Sequence, residues 1–489
     1  MAKGAAWMIM ARFCDRGIGM LSTIVLARLL APTDFGLVSM AVSIIAMLEV
    51  LGQFNFDVAL IQKVDADRRH YDTAWTFNVG IGVISSLALL AVAHPASLFF
   101  REPRLRTIVM LLAFFPLMEG LQNIGMVEFR KRFQFGKEFA FLFSRRVITF
   151  LVVLPLAIVL KNYWALVIGV VSGRVAGLAL SYIMQPYRPA FSLEARHELF
   201  HFSKWVYVNN LTQFLVQRAP DIVIGRIAGP RALGLFNVSH EIAYLPTNEL
   251  VAPINRAIFP GYAQKSKDLA TLRQGFLDVI SMIGLIMVPA AAGMFLTADL
   301  LVEILLGPKW LDAQPIVRLM AIAGLLFTFQ TNPTYVHFAL GKPRNVTFLT
   351  FIYALSLLPI MIVATRVGGP LGAAWAYVAT AAAVLPVSYW ILLRELELGF
   401  RPLLARLWRP LVATAVMAVA VRSVLLQLQM PATQAPRVGF LLLIVLAGVV
   451  AYGLVLVGLW RLSAGPAGAE RLVLEFARQK LTAWSSPRG

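Results

Sequence analysis

Long apolar segments separated by short polar turns fill most of the chain. A helix needs about 20 mostly apolar residues to cross a bilayer, and segments of that kind recur throughout the sequence. We predict fourteen spans, at residues 5–30, 35–61, 73–94, 106–127, 138–160, 163–184, 205–228, 232–261, 275–298, 314–339, 345–366, 371–393, 408–428 and 438–460. The pattern is typical of an all-α integral membrane protein.

Part of the first half of the chain recurs in the second half. The stretch 26–37 aligns with 224–235 without a gap, and 178–182 resembles 385–389. Three residues therefore recur at a constant offset of 198, namely Arg28, Pro32 and Gly36 as Arg226, Pro230 and Gly234. Each copy holds six spans, an even number, so we predict two parallel lobes related by a pseudo-two-fold axis along the membrane normal. Duplicated bundles of this kind are mostly transporters.

The repeat predicts how the chain is divided. We expect an N-lobe of helices 1–6 at residues 1–184, and a cytoplasmic interfacial linker, basic and aromatic, at 185–204. A C-lobe of helices 7–12 follows at 205–395, and helices 13 and 14 lie outside the repeat at 396–461. The tail, 462–489, places apolar side chains on one side of a helix and basic ones nearby, which suits a cytoplasmic membrane surface.

Composition and charge agree with a membrane location. Hydrophobic residues make up 59% of the chain and charged residues 14%, with a mean hydropathy of +0.74. The net charge of +19 comes from short turns rather than a basic stripe, so nucleic-acid binding is not expected. Turns on one side carry about three times as many Lys and Arg residues as turns on the other, which predicts that both termini are cytoplasmic. The single cysteine, Cys14, excludes an intrachain disulfide and a cysteine-based metal site.

Ionisable residues inside the predicted spans are candidates for function, since each costs roughly 2.5 kcal/mol or more at helix centre. They are Arg12, Asp15, Arg16, Glu49, Asp57, Glu119, Arg145, Arg146, Arg174, Arg218, Asp221, Glu241, Glu249, Arg256, Arg318 and Arg422. Arg12 and Arg16 share one helix face beside Asp15, and Asp221 ends a polar stripe on span seven. Both spans open a copy of the repeat, so these faces are expected to meet across a cavity. An excess of arginine there would hold an anion, with guanidinium best shaped for phosphate.

Structural interpretations of the same charges stay open. Asp15 could form an ion pair with either neighbouring arginine and close span one, and Arg145 and Arg146 could reach the cytoplasmic interface as topology markers. Glu241 and Glu249 could carry protons, hold a cation or pair with Arg218.

Three prolines recur every seven residues in span eight, at Pro246, Pro253 and Pro260. Each removes a backbone hydrogen bond, so we predict a bend or hinge in this helix.

The duplicated motif resembles a known family. Asp221, Gly225, Gly229, Leu233, Gly234 and Phe236, followed by Pro246 and residues 257–260, are similar to the polysaccharide-export branch of the multidrug/oligosaccharidyl-lipid/polysaccharide superfamily, the Wzx-like flippases. The opening stretch 27–36 resembles the same branch. The resemblance implies a multi-pass protein of the bacterial inner membrane. It implies alternating access that moves an undecaprenyl-pyrophosphate-linked oligosaccharide to the periplasmic leaflet, for exopolysaccharide or O-antigen synthesis.

The resemblance and the buried charges together define the expected site. We expect substrate-binding residues at Arg12, Arg16, Arg145, Arg146 and Arg218, and ion-coupling or cavity residues at Asp15, Asp221, Glu241 and Glu249. Coupling would use H⁺ or Na⁺, and no metal or other cofactor is expected. The expected partners are the lipid-linked oligosaccharide, membrane lipids, and the polymerase and chain-length machinery.

Two other functions compete with a flippase. A drug/cation antiporter of the same superfamily would suit a cavity richer in carboxylates than in arginines. A membrane-bound glycan polymerase or ligase would need an acid/base constellation, normally on a large external loop, and the turns here are short. We therefore expect a transporter rather than an enzyme.

Overall fold

The structure, a computed structural model, describes residues 2–52, 56–63, 65–196, 198, 214, 217–266, 268–427, 434–464 and 468–470. Within these ranges the side chains of residues 2–9, 11–13, 15, 51, 52, 434 and 435 are outside the description. The described part of the chain is helical and holds no strand, which confirms the predicted all-α fold.

The helices follow one another with short connections. In chain order they are α1 (Ala2–Leu29), α2 (Pro32–Gly52), α3 (Phe56–Gln62), α4 (Arg68–Phe100), α5 (Arg104–Leu112), α6 (Phe115–Gly120), α7 (Val127–Lys131), α8 (Phe135–Leu160), α9 (Trp164–Met184), α10 (Ala219–Ala243), α11 (Ala252–Lys265), α12 (Leu269–Leu305), α13 (Gln314–Ala339), α14 (Pro343–Glu395), α15 (Phe400–Gln427) and α16 (Gln434–Leu462). Two 3₁₀-helices, Ile124–Met126 and Pro308–Ala313, and one π-helix, Thr247–Val251, complete the set.

The long apolar helices confirm a multi-pass membrane protein. Among the described residues nine helices are long and apolar enough to cross a membrane, or ten if the bent pair Arg104–Gly120 and Ile124–Lys131 forms one span. The count of fourteen stays a prediction. One reason for the difference is α14, whose 53 residues contain two predicted spans and the non-helical Gly369 between them (φ 56°, ψ −137°). Another is span seven, 205–228, which lies mostly outside the described residues.

The chain divides into two compact units. The first contains Met1–Leu235 and Thr365–Pro370, and the second contains Phe236–Ala364 and Leu371–Gly489. The predicted boundaries of lobes, linker and tail stay predictions.

In the first unit, glycines let neighbouring helices approach by their backbones. A Cβ at Gly82 of α4 would lie 2.6 Å from the carbonyl oxygen of Pro116, and one at Gly120 of α6 would lie 2.3 Å from that of Asn78. Neither distance leaves room for a side chain, so α4 and α6 are in backbone contact at these two glycines. A buried cluster around Phe56 covers the end of this contact.

The second unit packs around α12, which contacts α13, α15 and α16. Its core includes Phe276, Ile280 and Ile283. The N-terminus of α12 is capped by Asp268, whose Oδ1 accepts a 3.1 Å hydrogen bond from the backbone N–H of Ala270.

The predicted helix 232–261 is interrupted after Ala243, near the first of its three prolines. Pro246 and Pro253 flank the π-helix, and Pro260 lies inside α11. A π-turn changes the direction in which the following residues point, and such turns are frequent at functional sites. The hinge role of these prolines stays a prediction.

Candidate functional site

A polar cavity of about 710 Å³ lies inside the first unit. Its charged and amide lining residues are Glu49, Asp57, Asn78, Glu119, Gln122, Asn123, Arg130, Glu138, Arg145 and Arg174. The close packing of α4 against α6 positions part of this wall, because Gly82, Pro116 and Gly120 also line the cavity. Such a set of ionisable side chains among apolar helices is costly to bury, so the cavity is the first candidate for function.

Arg174, on α9, occupies one part of the cavity wall. Its Nη1 donates to Glu119 of α6, and its Nη2 lies 3.8 Å from Oε1 of Glu49 on α2. The guanidinium also lies 5.5 Å from the centre of the Phe115 ring. One arginine therefore faces carboxylates from two other helices. It hydrogen-bonds to Glu119, and its charge partly neutralises both acids.

A second charged group surrounds Arg130, at the end of α7. Its Nε donates to Oε1 of Glu138 over 2.6 Å, and its Nη1 lies 3.4 Å from Oδ2 of Asp57. Here too a guanidinium is placed between two carboxylates. The cavity wall thus repeats one chemical pattern, in which positive and negative groups alternate.

Asn123 fixes the turn between α6 and α7. Its Oδ1 accepts from the backbone N–H of Gly125 at 3.0 Å, and its Nδ2 donates to the carbonyl oxygens of Gln185 and Tyr187 at 3.2 and 2.6 Å. The side chain is buried, so these bonds tie the segment after α9 to the edge of the cavity.

The same segment docks on the first turns of α4. Backbone N–H groups of Ala190, Ser192 and Ala195 donate to Asp72, Thr76 and Thr73 at 2.8, 3.0 and 3.2 Å. These three α4 side chains stand on neighbouring turns of one helix face, which lets them bind an extended strand of main chain.

A charged cluster ends this docked segment. The Glu198 carboxylate accepts from Lys63 and lies 3.1 Å from Nε2 of His70, whose Nδ1 lies 2.5 Å from Asp67. The hydrogen bonds from Lys63 and His70 lower the pKa of Glu198 to about 2. The cluster therefore keeps Glu198 ionised below pH 4.5, where an ordinary glutamate becomes protonated.

The structure distributes the predicted substrate-binding arginines over several places. Arg145 lines the cavity. Arg146 lies against α1, since a Cβ at Gly19 would be 2.5 Å from its Nη2, and Gly19 is one turn beyond Arg16. The structure thus brings Arg146 to the α1 face that carries Arg16, while the side chain of Arg12 lies outside the description.

The predicted coupling residues are also separated. Asp221 is buried, accepts a 3.1 Å hydrogen bond from Ser43 of α2, and lies 3.7 Å from the Arg218 guanidinium. Glu241 and Glu249 belong to the second unit, and the side chain of Asp15 is outside the description. The roles of all nine predicted residues stay predictions.

Sequence reasoning noted Glu49, Glu119 and Arg174 as buried charges but did not group them. The sequence signal is a carboxylate on each of the second and fourth spans and an arginine on the sixth. Glu138 and Asn123 gave a weaker signal, because both lie near span ends, where polar residues are common. The described residues contain no cluster of His, Cys, Asp and Glu that could hold a metal ion.

The class of protein follows from comparison with known families. The profile of the polysaccharide biosynthesis protein family matches residues 25–315, more than half of the chain, and the chain belongs to this family. Its membership confirms the resemblance to the polysaccharide-export branch of the superfamily.

Individual relatives are distant in sequence and similar in length. The lipopolysaccharide biosynthesis protein WzxC of Escherichia coli is 25% identical over 83% of this chain and 84% of its own. The teichuronic acid biosynthesis protein TuaB of Bacillus subtilis is 25% identical over 85% of this chain and 87% of its own. The succinoglycan biosynthesis transport protein ExoT of Rhizobium meliloti is 22% identical over 86% of each chain.

Solved structures agree on the fold. A lipid II flippase, MurJ, in an inward closed conformation superposes with a TM-score of 0.73 over 94% of this chain and 99% of its own, at 11% identity. An inward-facing multidrug resistance MATE family transporter gives a TM-score of 0.58 over 81% and 98%, at 13% identity. The chain therefore has the fold that these two solved structures share.

Proposed function

We propose that the protein is a flippase, which moves an undecaprenyl-pyrophosphate-linked oligosaccharide repeat unit from the cytoplasmic to the periplasmic leaflet. The product would serve exopolysaccharide or O-antigen synthesis. The observation that carries the proposal is the cavity in which Arg174 joins Glu49 and Glu119, among helices apolar enough to cross a membrane. A static scaffold gains nothing from charges at that depth, whereas a transporter needs polar groups for a polar substrate.

The transport cycle we propose is alternating access between two six-helix lobes, with two further helices beside them. The duplication of the motif at Pro32 and Pro230 supports two equivalent lobes. The distribution of Lys and Arg over the turns supports cytoplasmic termini and an inner-membrane location. Lipid can hold the undecaprenyl chain throughout, so the protein has to enclose only the head group.

The energy source we propose is a gradient of H⁺ or Na⁺. Carboxylates at membrane depth are the groups that such ions neutralise, and Glu241 and Glu249 of the second unit are candidates. The polymerase and chain-length machinery would receive the flipped repeat unit.

One observation favours a second candidate, a drug/cation antiporter. The cavity lining contains four carboxylates, from Glu49, Asp57, Glu119 and Glu138, and three guanidinium groups, from Arg130, Arg145 and Arg174. A small organic cation would be attracted by that balance. The flippase remains the better proposal, because the relatives are named for polysaccharide biosynthesis and transport.

The test determines in which leaflet lipid-linked repeat units accumulate in a strain that lacks the protein. Spheroplasts are treated with a membrane-impermeant glycan-modifying enzyme, and the modified fraction of the lipid-linked pool is measured. We expect the pool to be inaccessible in the deletion strain and accessible after complementation. Equal access in both strains would refute a flippase, and loss of drug resistance alone would favour the antiporter.

Arg174→Gln and Arg318→Gln make a matched pair for the same assay. Both remove an arginine that binds a carboxylate in a membrane helix, but Arg318 pairs with Asp299 in the second unit. We expect the lipid-linked pool to be inaccessible to the enzyme in cells with Arg174→Gln and accessible in cells with Arg318→Gln, when both are compared at equal amounts of folded protein in the membrane.

A further inference from the structure

The guanidinium groups with described contacts in the cavity are already bound by carboxylates. Arg174 lies between Glu119 and Glu49, and Arg130 lies within 3.4 Å of two acids. A pyrophosphate would have to take these donors from the carboxylates and then lie beside them. Like charges at such distances disfavour each other strongly, so the wall is poorly suited to an anion.

The same wall is well suited to a neutral ligand with many hydroxyl groups. A hydroxyl donates one hydrogen bond and accepts up to two, so it can donate to the carboxylate of Glu119 and accept from the guanidinium of Arg174. Both bonds are charge-assisted and stronger than bonds between neutral groups. The amides of Asn78 and Gln122 add donors and acceptors to the lining.

The cavity also has a suitable size and rigidity. Its volume of about 710 Å³ lies within the ~300–1,000 Å³ typical of small-molecule sites. Arg174 and Glu119 hold each other in place by a hydrogen bond between two helices, and Arg130 binds Glu138 in the same way. A prearranged set of donors and acceptors discriminates strongly against a ligand that leaves one of them unpaired.

Resting on the flippase function proposed above, we propose that this cavity binds the neutral sugar rings of the repeat unit and that Glu119 and Arg174 select them by their hydroxyl groups. The pyrophosphate then binds outside this cavity. The cavity would be the part of the protein that distinguishes one glycan from another. Predicted arginines that do not line it, Arg146 and Arg218, would bind the pyrophosphate of any substrate.

The test measures binding to the purified full-length protein in lipid nanodiscs, by calorimetry. One probe is inorganic pyrophosphate. The other is a neutral oligosaccharide, released by mild acid from the exopolysaccharide of the strain that carries this protein. We expect the oligosaccharide to bind, with pyrophosphate unable to displace it. We expect Glu119→Gln to weaken oligosaccharide binding by about tenfold, the scale of one hydrogen bond to a charged group, and to leave pyrophosphate binding unchanged.

Two further variants keep the test decisive. Arg174→Gln removes the other half of the pair, and we expect the same loss for the oligosaccharide. Glu303→Gln is the matched control, since it removes a carboxylate that binds an arginine, Arg437, in the second unit. Thermal unfolding and gel filtration of each variant establish that it is folded before binding is compared.

Several outcomes would overturn the inference. They are equal oligosaccharide affinity in wild type and Glu119→Gln, displacement of the oligosaccharide by pyrophosphate, and binding of tetraphenylphosphonium that depends on Glu119. These results are separable from the flippase test. If the protein flips repeat units but Glu119 has no effect on sugar binding, the flippase function stands and the sugar site at Glu119 is refuted. If the protein binds the oligosaccharide in the cavity but does not translocate repeat units, the sugar site stands and the flippase function is refuted.

Discussion

Gly36 and Gly234 hold matching positions in the two copies of the duplicated motif, and each touches the other copy. A Cβ at Gly36 would lie 1.7 Å from the carbonyl oxygen of Pro230, and a Cβ at Gly234 would lie 1.8 Å from that of Pro32. The contact is reciprocal, as expected for two elements related by a pseudo-two-fold axis that passes between them. The absence of a side chain at both positions is what lets the two backbones meet there.

Replacing either glycine by alanine should destabilise the first unit. At these distances a methyl group overlaps a backbone carbonyl, which has no flexible end to move aside, so the helices must separate. We expect Gly36→Ala and Gly234→Ala each to lower the free energy of unfolding by about 1–3 kcal/mol, the range for overpacked sites. Thermal unfolding of the protein in detergent measures the loss.

Gly17→Ala and Gly80→Ala are the controls for this prediction. Both positions are in helices of the same unit, and a Cβ at either meets nothing within 4 Å. Alanine should be neutral there or stabilising by roughly 0.5–1 kcal/mol, since it favours the helix. Equal melting temperatures for the two pairs of variants would contradict a close backbone contact.

The sequence reveals such helix contacts better than it reveals side-chain pairing. Apolar length located α8 and α9, because a span of about 20 apolar residues has few alternatives. The internal repeat predicts that Pro32 and Pro230 hold equivalent positions. Both signals depend on the order of residues along the chain, which the sequence records directly.

Partners across helices could not be derived in the same way. Asp221 carried a charge in a predicted span, which favoured a coupling role, but its partners Ser43 and Arg218 depend on how helices are rotated. Rotation follows from packing against neighbours, and a uniformly apolar helix gives little indication of it. For the same reason the pairing of Arg174 with Glu119 emerged only from the structure.

Removing the charge of Arg174 should destabilise the first unit, and removing a carboxylate with it should restore part of the loss. Arg174→Gln leaves Glu49 and Glu119 facing each other without a guanidinium between them. We expect a loss of about 1–3 kcal/mol, less than for a fully buried pair because the Glu119 side chain is 54% exposed. In Arg174→Gln/Glu49→Gln the loss should be smaller than the sum of the losses in the two single variants. Thermal unfolding of wild type, Arg174→Gln, Glu49→Gln and the double variant compares them. Additive losses would mean that the two residues do not interact.

Docking of the segment after α9 should weaken in acid. The pKa of Glu198 is lowered from 4.5 to about 2 by Lys63 and His70, so its contribution is present above pH 4.5 and is lost as the pH falls toward 2. The reporter is the amide of Ala195, bonded to Thr73, whose hydroxyl does not titrate in this range. We expect its hydrogen-exchange protection, corrected for intrinsic rate, to fall across that window.

In Glu198→Gln the backbone N–H of Ala195 should have low protection at both ends of that pH window. The reason is that the neutral glutamine side chain cannot bind Lys63 as the glutamate carboxylate does. Glu194→Gln changes an exposed carboxylate of the same segment and should behave as wild type. A pH dependence that persists unchanged in Glu198→Gln would assign the effect to another group.

Asp221 should act as a structural residue, in contrast with Glu249. Asparagine at position 221 can still accept a hydrogen bond from Ser43 but loses its charge opposite Arg218. We expect Asp221→Asn to lower stability by about 1 kcal/mol and to leave the pH and sodium dependence of export unchanged. Glu249→Gln should alter that dependence if Glu249 couples an ion. If export by Asp221→Asn had a changed pH or sodium dependence, Asp221 would be a coupling residue after all.

Arg409 and Glu470 should stabilise the second unit only as a pair. Their side chains are each 2% exposed, and Nε of Arg409 lies 3.4 Å from Oε1 of Glu470. Removing one charge leaves the other buried without its counter-charge, so Glu470→Gln should cost about 3–5 kcal/mol. Replacing both by leucine should recover most of that loss, because two apolar side chains need no counter-charge. Thermal unfolding of wild type, Glu470→Gln and Arg409→Leu/Glu470→Leu decides the matter, and a double variant less stable than the single one would mean that other groups bind these charges.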